Sequence, residues 1–438
     1  EDFNFIKFRS RIFAVAHPFR KTLRLIDGLW PFQCRCRENK VAEENVNDQF
    51  YNLAFNTWGQ EELSAIQRVI ESDHFTMGPE VARFEKEFAA YFGRRHALMV
   101  NSGSSAVLIA VASLFFKKDN PLELGDEVIV PAISWSTTFY PLQQYGLRLR
   151  FVDVEIDTLN MDTSQLEAAL TPATRMIVGV SVLGNPAALD VLREFADAHD
   201  LYFFEDNCES MDAELNDRKT GSFGDISTFS TFFSHHISTM EGGVLTTDDD
   251  ELAHIAHSLR CHGWTRGLPS DTYLFEERQD DFFEAYRFIL PGYNVRPLEM
   301  AGAIGHEQLK KLPSMTEKRR NNLKLFQNLF AGDNRFFTQR ETGKSSCFCF
   351  TIVLNPSLEH PRTKVLESLK EADIGYRIIT GGCFPRHDVI RHFDYSCVGD
   401  LACANLAHDR GFFVGNYPQD LTPQITRLRE VLDEACGS

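Results

Sequence analysis

Apolar residues recur at intervals of three and four along positions 61–70 and 80–92, the spacing of amphipathic helices, with a turn around Thr76, Met77, Gly78 and Pro79 between them. Farther on the pattern shortens to apolar runs at 97–100, 127–131, 149–154, 176–182, 201–204 and 226–229, the lengths of buried strands. Helical stretches such as 192–199 separate them. This rhythm predicts an α/β fold, a mainly parallel sheet covered by helices on both faces. A long helical pattern at 307–330, interrupted at Pro313, then leads into a second and smaller α/β pattern, with a strand at 347–354 and a helix at 364–372. The last element is an amphipathic helix over 423–435, with Thr422 as its N-cap and Pro423 in the first turn, where a missing N–H costs nothing. The division that follows is a large domain at 51–312 and a linker helix with a small C-terminal domain at 313–438. A chain of 438 residues is long enough to bury both cores.

Residues 1–50 stand outside this pattern as an N-terminal extension. Within the first forty, nine Lys or Arg face four acids, against an acidic remainder. The expectation is a docked or poorly ordered extension rather than a targeting remnant. Over the whole chain the net charge of -17 argues against general nucleic-acid binding, which needs clustered positive charge. No apolar run reaches the roughly eighteen residues that cross a bilayer. Ten cysteines without a secretory pattern suit a reducing compartment, so cytoplasm is the expected location. Cys34 and Cys36, like Cys347 and Cys349, lack the paired spacing of a zinc site, and no metal is expected.

Two stretches concentrate chemistry. The apolar run at 203–204 closes on the acids Glu205 and Asp206, and the run at 226–229 leads into TFFSHHISTMEGG at 231–243, with adjacent histidines. In an α/β fold the carboxyl ends of strands form the ligand-binding edge, which places a site here. Adjacent histidines alone are more often hydrogen-bonded loop residues than catalysts. The small-residue loop Asn101 to Ser105 opens an apolar helix; it suits a phosphate, and equally a bare N-cap.

From about Asn52 onward the chain resembles the sugar aminotransferases of the DegT/DnrJ/EryC1/StrS group, which use pyridoxal phosphate on the type I aspartate aminotransferase fold. The resemblance is carried by FTMG at 75–78, ISWSTTFYPLQQYGLR at 133–148, EDNCES at 205–210, FFSHHISTMEGG at 232–243, HGWTR at 262–266, LPGYNVRPLEM at 290–300 and FFVGN at 412–416. It implies that Gly103, Ser104 and Ser230 hold the cofactor phosphate, and that Asn294 reaches it from the second subunit of a homodimer. Trp135 would stack on the ring. Asp206 would pair with the pyridine nitrogen and keep the ring an electron sink. Glu209 would position the cofactor hydroxyl or a water.

Aminotransferases of the group carry a lysine where this chain has His235. Imidazole cannot make the covalent link of that lysine, so pyridoxal or pyridoxamine phosphate should be bound noncovalently, with His235 as base and acid near neutral pH. The resemblance then implies a 3-dehydratase of a nucleotide 4-keto-6-deoxy sugar, foremost a GDP-mannose derivative, with glutamate as amino donor. His262, Arg266 and Arg296 are candidates for substrate or dimer contacts, His236 for a supporting role. A related dehydratase holds an iron–sulfur cluster through four spaced cysteines; Cys208 and Cys261 do not complete that set, so no cluster is expected. The competing readings are an aminotransferase served by another lysine, for which only Lys219 lies near, and a silent scaffold.

Overall fold

The computed structural model describes residues 49–437 apart from Asp271, Glu277 and His360. The basic extension therefore lies outside the described residues, except for its last two positions.

The predicted strands form along one large sheet. In chain order they are β1 (His96–Val100), β2 (Glu127–Pro131), β3 (Arg148–Val152), β4 (Thr174–Val180) and β5 (Tyr202–Asp206), followed after a two-stranded hairpin, β6 (Glu214–Leu215) and β7 (Arg218–Lys219), by β8 (Ile226–Ser230) and β9 (Gly243–Thr247). The order across the sheet is β1-β9-β8-β5-β4-β2-β3, and a C-terminal strand, β13 (Tyr395–Cys397), adds to the β3 edge. β9 runs antiparallel to both neighbours and the other pairings are parallel. Strand residues alternate between two cores. Leu98 and Val100 face the helices Gly103–Leu114, Ser136–Gln144 and Asp250–Arg260, whereas Ala97 and Met99 pack with Pro79–Phe92 and the start of the long C-terminal helix.

That helix corrects the sequence expectation. It begins at Glu299, eight residues earlier than its apolar pattern, and runs without a break through Pro313 to Phe330. Its early turns carry Gly302 and Gly305, where a Cβ would lie 2.6 Å from Val81 Cα and 2.8 Å from the Phe84 ring. Close helix packing therefore holds a stretch that helix propensity disfavours. The Glu299 side chain caps the helix Pro79–Phe92, accepting from the amides of Gly78 and Glu80 at 2.6 Å each. This is what joins the stretches FTMG and LPGYNVRPLEM in space.

β10 (Phe336–Phe337), β11 (Cys349–Leu354), β12 (Tyr376–Arg377) and β14 (Gly411–Gly415) make a second, antiparallel sheet in the order β10-β11-β14-β12. The end of the long helix and the helices Arg362–Glu371 and Thr422–Cys436 supply its core. Tyr51 is buried in the same core and donates its hydroxyl to the Gly415 carbonyl at 2.6 Å. The predicted Thr422 cap is also corrected. Thr422 is already the first helical residue, and its hydroxyl turns back to Asp420 at 2.6 Å.

Candidate active site

Strands β1, β5 and β8 end on one edge of the large sheet, and β9 starts there, with Gly243 in register with both Val100 and Ser230. The alternation of β5 separates its terminal acids. Glu205 is fully buried and accepts from the amides of Gly221 (2.5 Å), Phe223 and Gly224 (3.1 Å each), so it builds the loop between β7 and β8 and takes no part in the site. Asp206, one residue on, accepts at 2.7 Å from the Thr138 hydroxyl, which in turn is bonded to Ser134 at 2.8 Å. A fixed carboxylate at the sheet edge suits a protonated ring nitrogen.

The helix Gly103–Leu114 begins beside it. Ser102 caps that helix by accepting from the Ser105 amide at 3.1 Å. A Cβ on Gly103 would lie 2.7 Å from Ser230 Cβ and 3.2 Å from Cys208 Sγ, so glycine is needed for helix, β8 and the loop after β5 to meet. The Ser104 hydroxyl donates to Thr137 at 2.9 Å, which ties this helix start to the helix that Trp135 opens. Trp135 itself is 56% exposed, unusual for an indole outside a binding surface. Amides and hydroxyls at a helix N-terminus with no acid in its first turn fit a phosphate.

His235 lies in the turn after β8, its ring nearly perpendicular to those of Phe232 and Phe348 at 5.9 and 5.1 Å. Its Nδ1 is buried without a hydrogen-bond partner. Burial pushes its pKa down to about 4, against the pull of the Cys208 carbonyl, and the Arg319 charge adds to the fall. At neutral pH the ring is an uncharged base. His236 is fully buried, with Nε2 3.3 Å from the Ser346 carbonyl, and serves the interior.

Glu209 accepts from the Leu183 amide at 3.1 Å and the Thr380 hydroxyl at 3.4 Å. Both partners have left-handed backbones, φ 52° and 44°, that side-chain-bearing residues seldom adopt. Burial raises the Glu209 pKa to about 7, with Asp206 adding repulsion. Thr138, Leu183, Thr380 and Phe348 were invisible as site residues in the sequence; only Thr138 sits inside one of the motifs singled out there.

The remaining candidates form a second group around Trp264. The His262 ring lies tilted against it at 4.9 Å, and the guanidinium groups of Arg266 and Arg296 lie 5.5 and 6.0 Å from its ring. Asn294 accepts from Arg296 at 3.0 Å, and the neighbouring Val295 carbonyl takes the Asn101 amide at 2.9 Å, which ties this group to the end of β1. Lys219 is engaged elsewhere. Its amine pairs with Asp212 at 2.5 Å and rides over the Tyr91 ring at 4.6 Å. Among the described residues no group of three or more His, Cys, Asp or Glu could hold a metal ion, and no helix is long and apolar enough to cross a membrane.

A model of the DegT/DnrJ/EryC1/StrS aminotransferase family matches residues 56–432. The chain is 49% identical over 384 residues to GDP-4-keto-6-deoxy-D-mannose 3-dehydratase of Yersinia pseudotuberculosis, covering 87% of this chain and 98% of that protein. It is also similar to a crystal structure of GDP-4-keto-6-deoxymannose-3-dehydratase with a trapped PLP–glutamate geminal diamine, at TM-score 0.86 and 47% identity, covering 87% of this chain and 100% of the other. A mutant of that enzyme with bound GDP-perosamine superposes with TM-score 0.85 at 47% identity, again covering 87% and 100%.

Proposed function

The chain belongs to the DegT/DnrJ/EryC1/StrS aminotransferase family, and within it we propose that it is a pyridoxal-phosphate-dependent lyase, the 3-dehydratase of GDP-4-keto-6-deoxy-D-mannose. The observation that supports this reading is the gathering of Gly103, Ser230 and Asp206 at one sheet edge with an imidazole, His235, where the aminotransferase reaction needs an amine. Lys219 cannot supply that amine while it is paired with Asp212.

When bound, pyridoxal phosphate supplies an electron sink and, in its amine form, a nucleophile for the sugar's C4 ketone. The side chains have distinct tasks. Gly103, Ser104 and Ser230 hold the phosphate, with Asn294 reaching it from a second copy of the chain, so that the working unit is a homodimer with shared sites. Asp206, fixed by Thr138, keeps the ring nitrogen protonated, and Trp135 covers one face. Glu209, held by the Leu183 amide and the Thr380 hydroxyl, orients the ring hydroxyl or a water. His235 takes the proton that must leave carbon and delivers it to the departing C3 oxygen, which leaves as water. As an imidazole it makes no covalent link, so the cofactor is held by these contacts alone. Glutamate is the amino donor, and no iron–sulfur cluster takes part. The guanidinium groups of Arg266 and Arg296, beside His262, suit the sugar diphosphate or the glutamate carboxylate.

The test is incubation with pyridoxal phosphate, glutamate and GDP-4-keto-6-deoxy-D-mannose, following ammonia and the mass of the sugar nucleotide. Ammonia with a product lacking one oxygen is expected. An amino sugar without ammonia overturns the assignment.

A further inference from the structure

Resting on the dehydratase reading, we propose that Arg319 is a positioning residue for the reaction: the buried cation that seats the turn at 346–349 against His235 and His236. Arg319 lies on the helix Glu299–Phe330 and is 3% exposed. Among the described residues it forms no ion pair with a carboxylate. Its guanidinium instead donates to two backbone carbonyls, Phe348 at 3.1 Å and Asn416. The Asn416 side chain donates in turn to the carbonyls of Cys347 at 2.9 Å and Arg319 at 3.2 Å. Two side chains thus grip successive carbonyls of a turn in which Cys347 has φ 39°, a conformation kept only where the surroundings impose it.

The turn reaches both titrating groups of the site. Phe348 lays its ring 5.1 Å from that of His235 and 5.7 Å from that of His236. On its other side the amides of Ser346 and Phe348 donate at 2.9 Å each to the carbonyls of Gly184 and Leu183, and the Leu183 amide is the one that holds Glu209. A single guanidinium therefore sets where the base sits and what orients the acid. A buried cation without a counter-charge also disfavours a second positive charge nearby. Arg320, from the same helix, also acts on His236; Asp206 at the end of β5 and Glu209 in the loop after it act on Cys208, whose carbonyl meets the His235 ring; and Cys347 and Cys349 flank Phe348 in the turn.

The experiment compares Arg319→Met and Arg319→Lys with the parent, each checked by its melting temperature. In the cofactor-free protein the His235 ring resonance, assigned through its loss in His235→Asn, is titrated by NMR. Arg319→Met is expected to raise the midpoint by about one unit, while Arg319→Lys keeps it low. In the loaded enzyme both variants are expected to lose roughly ten- to a hundredfold in kcat with little change in KM, the signature of a displaced base. An unmoved His235 midpoint with parental kcat overturns the proposal, as does a kcat loss equal to the loss of folded protein. Should Arg319→Met fail to fold, Phe348→Leu takes its place; about tenfold lower kcat supports the proposal and parental kcat overturns it. If the parent itself does not dehydrate the GDP-sugar, the proposed function fails while the NMR titration still decides the placement by Arg319.

Discussion

Glu209 and His235 make opposite demands on the stability of the cofactor-free protein, and single substitutions should expose them. Glu209 is held up at about 7 against an ordinary 4.5, chiefly by burial. Between those values the folded chain keeps a proton that the unfolded chain has released, so this group's contribution is complete below 4.5 and is lost as pH rises towards 7. His235 is held down at about 4 against 6.5. Its contribution is complete above 6.5 and is lost as pH falls towards 4. In the shared window, 4.5 to 6.5, the two slopes have opposite signs.

Each full proton difference changes stability by about 1.4 kcal/mol per pH unit. Across two units each group therefore accounts for up to about 3 kcal/mol; both keep some contact with solvent, so this is an upper bound. Urea melts of parent, Glu209→Gln and His235→Asn at half-unit steps of pH supply the measurement. The stability of the parent minus that of Glu209→Gln should fall with pH, and the parent minus His235→Asn should rise. Two flat differences, or two of the same sign, would refute the argument that burial splits these groups in opposite directions.

Three further outcomes follow from the geometry. Thr138→Val keeps the shape but removes the hydroxyl on Asp206; a hydrogen bond to a charged group contributes about 1.5–3 kcal/mol, so cofactor affinity in an absorbance titration, or the melting temperature of the free protein, should drop measurably. Gly103→Ala places a Cβ 2.7 Å from Ser230 Cβ, and should weaken pyridoxal phosphate binding by at least about tenfold in the same titration while pyridoxal without phosphate is less affected. Lys219→Met should leave dehydration intact and lower only the melting temperature, since its amine pairs with Asp212; loss of turnover in a stably folded variant would bring back a lysine mechanism.

The large sheet was legible because its strands are short apolar runs with clear ends, and parallel strands buried on both faces leave few other readings. The long helix was legible only in part. Positions 299–306 lay outside the helix that the apolar pattern predicted; their two glycines are there for contact with Val81 and Phe84, which no local pattern displays. β13 was missed for the converse reason: three residues with little apolar content pair with β3 because the chain returns there. At the site, candidates such as Asp206, Ser230 and His235 were legible as parts of motifs. Their supports were not, since Leu183, Thr380 and Phe348 reach Glu209 and His235 from distant segments.

The environment of position 235 suits the role proposed for its imidazole, a base without a charged partner. A base that must accept a proton at neutral pH has to be uncharged beforehand, and an ordinary histidine with a carboxylate neighbour would already be largely protonated. Among the described residues no acid bonds to the ring: its near neighbours are Phe232, Phe348 and the Cys208 and Ser230 carbonyls, and the Arg319 charge acts on it as well. Burial, which empties His235 of its proton, raises Glu209 to about 7, and Asp206 adds to that by repulsion. The site thus sets a neutral base on the turn after β8 against a carboxyl poised near neutrality three residues beyond one fixed carboxylate, Asp206. On the proposed reading one base takes the proton from carbon and gives it to the departing oxygen, so that base has to be empty beforehand. Burial, shaped by chain segments far apart in sequence, keeps it so.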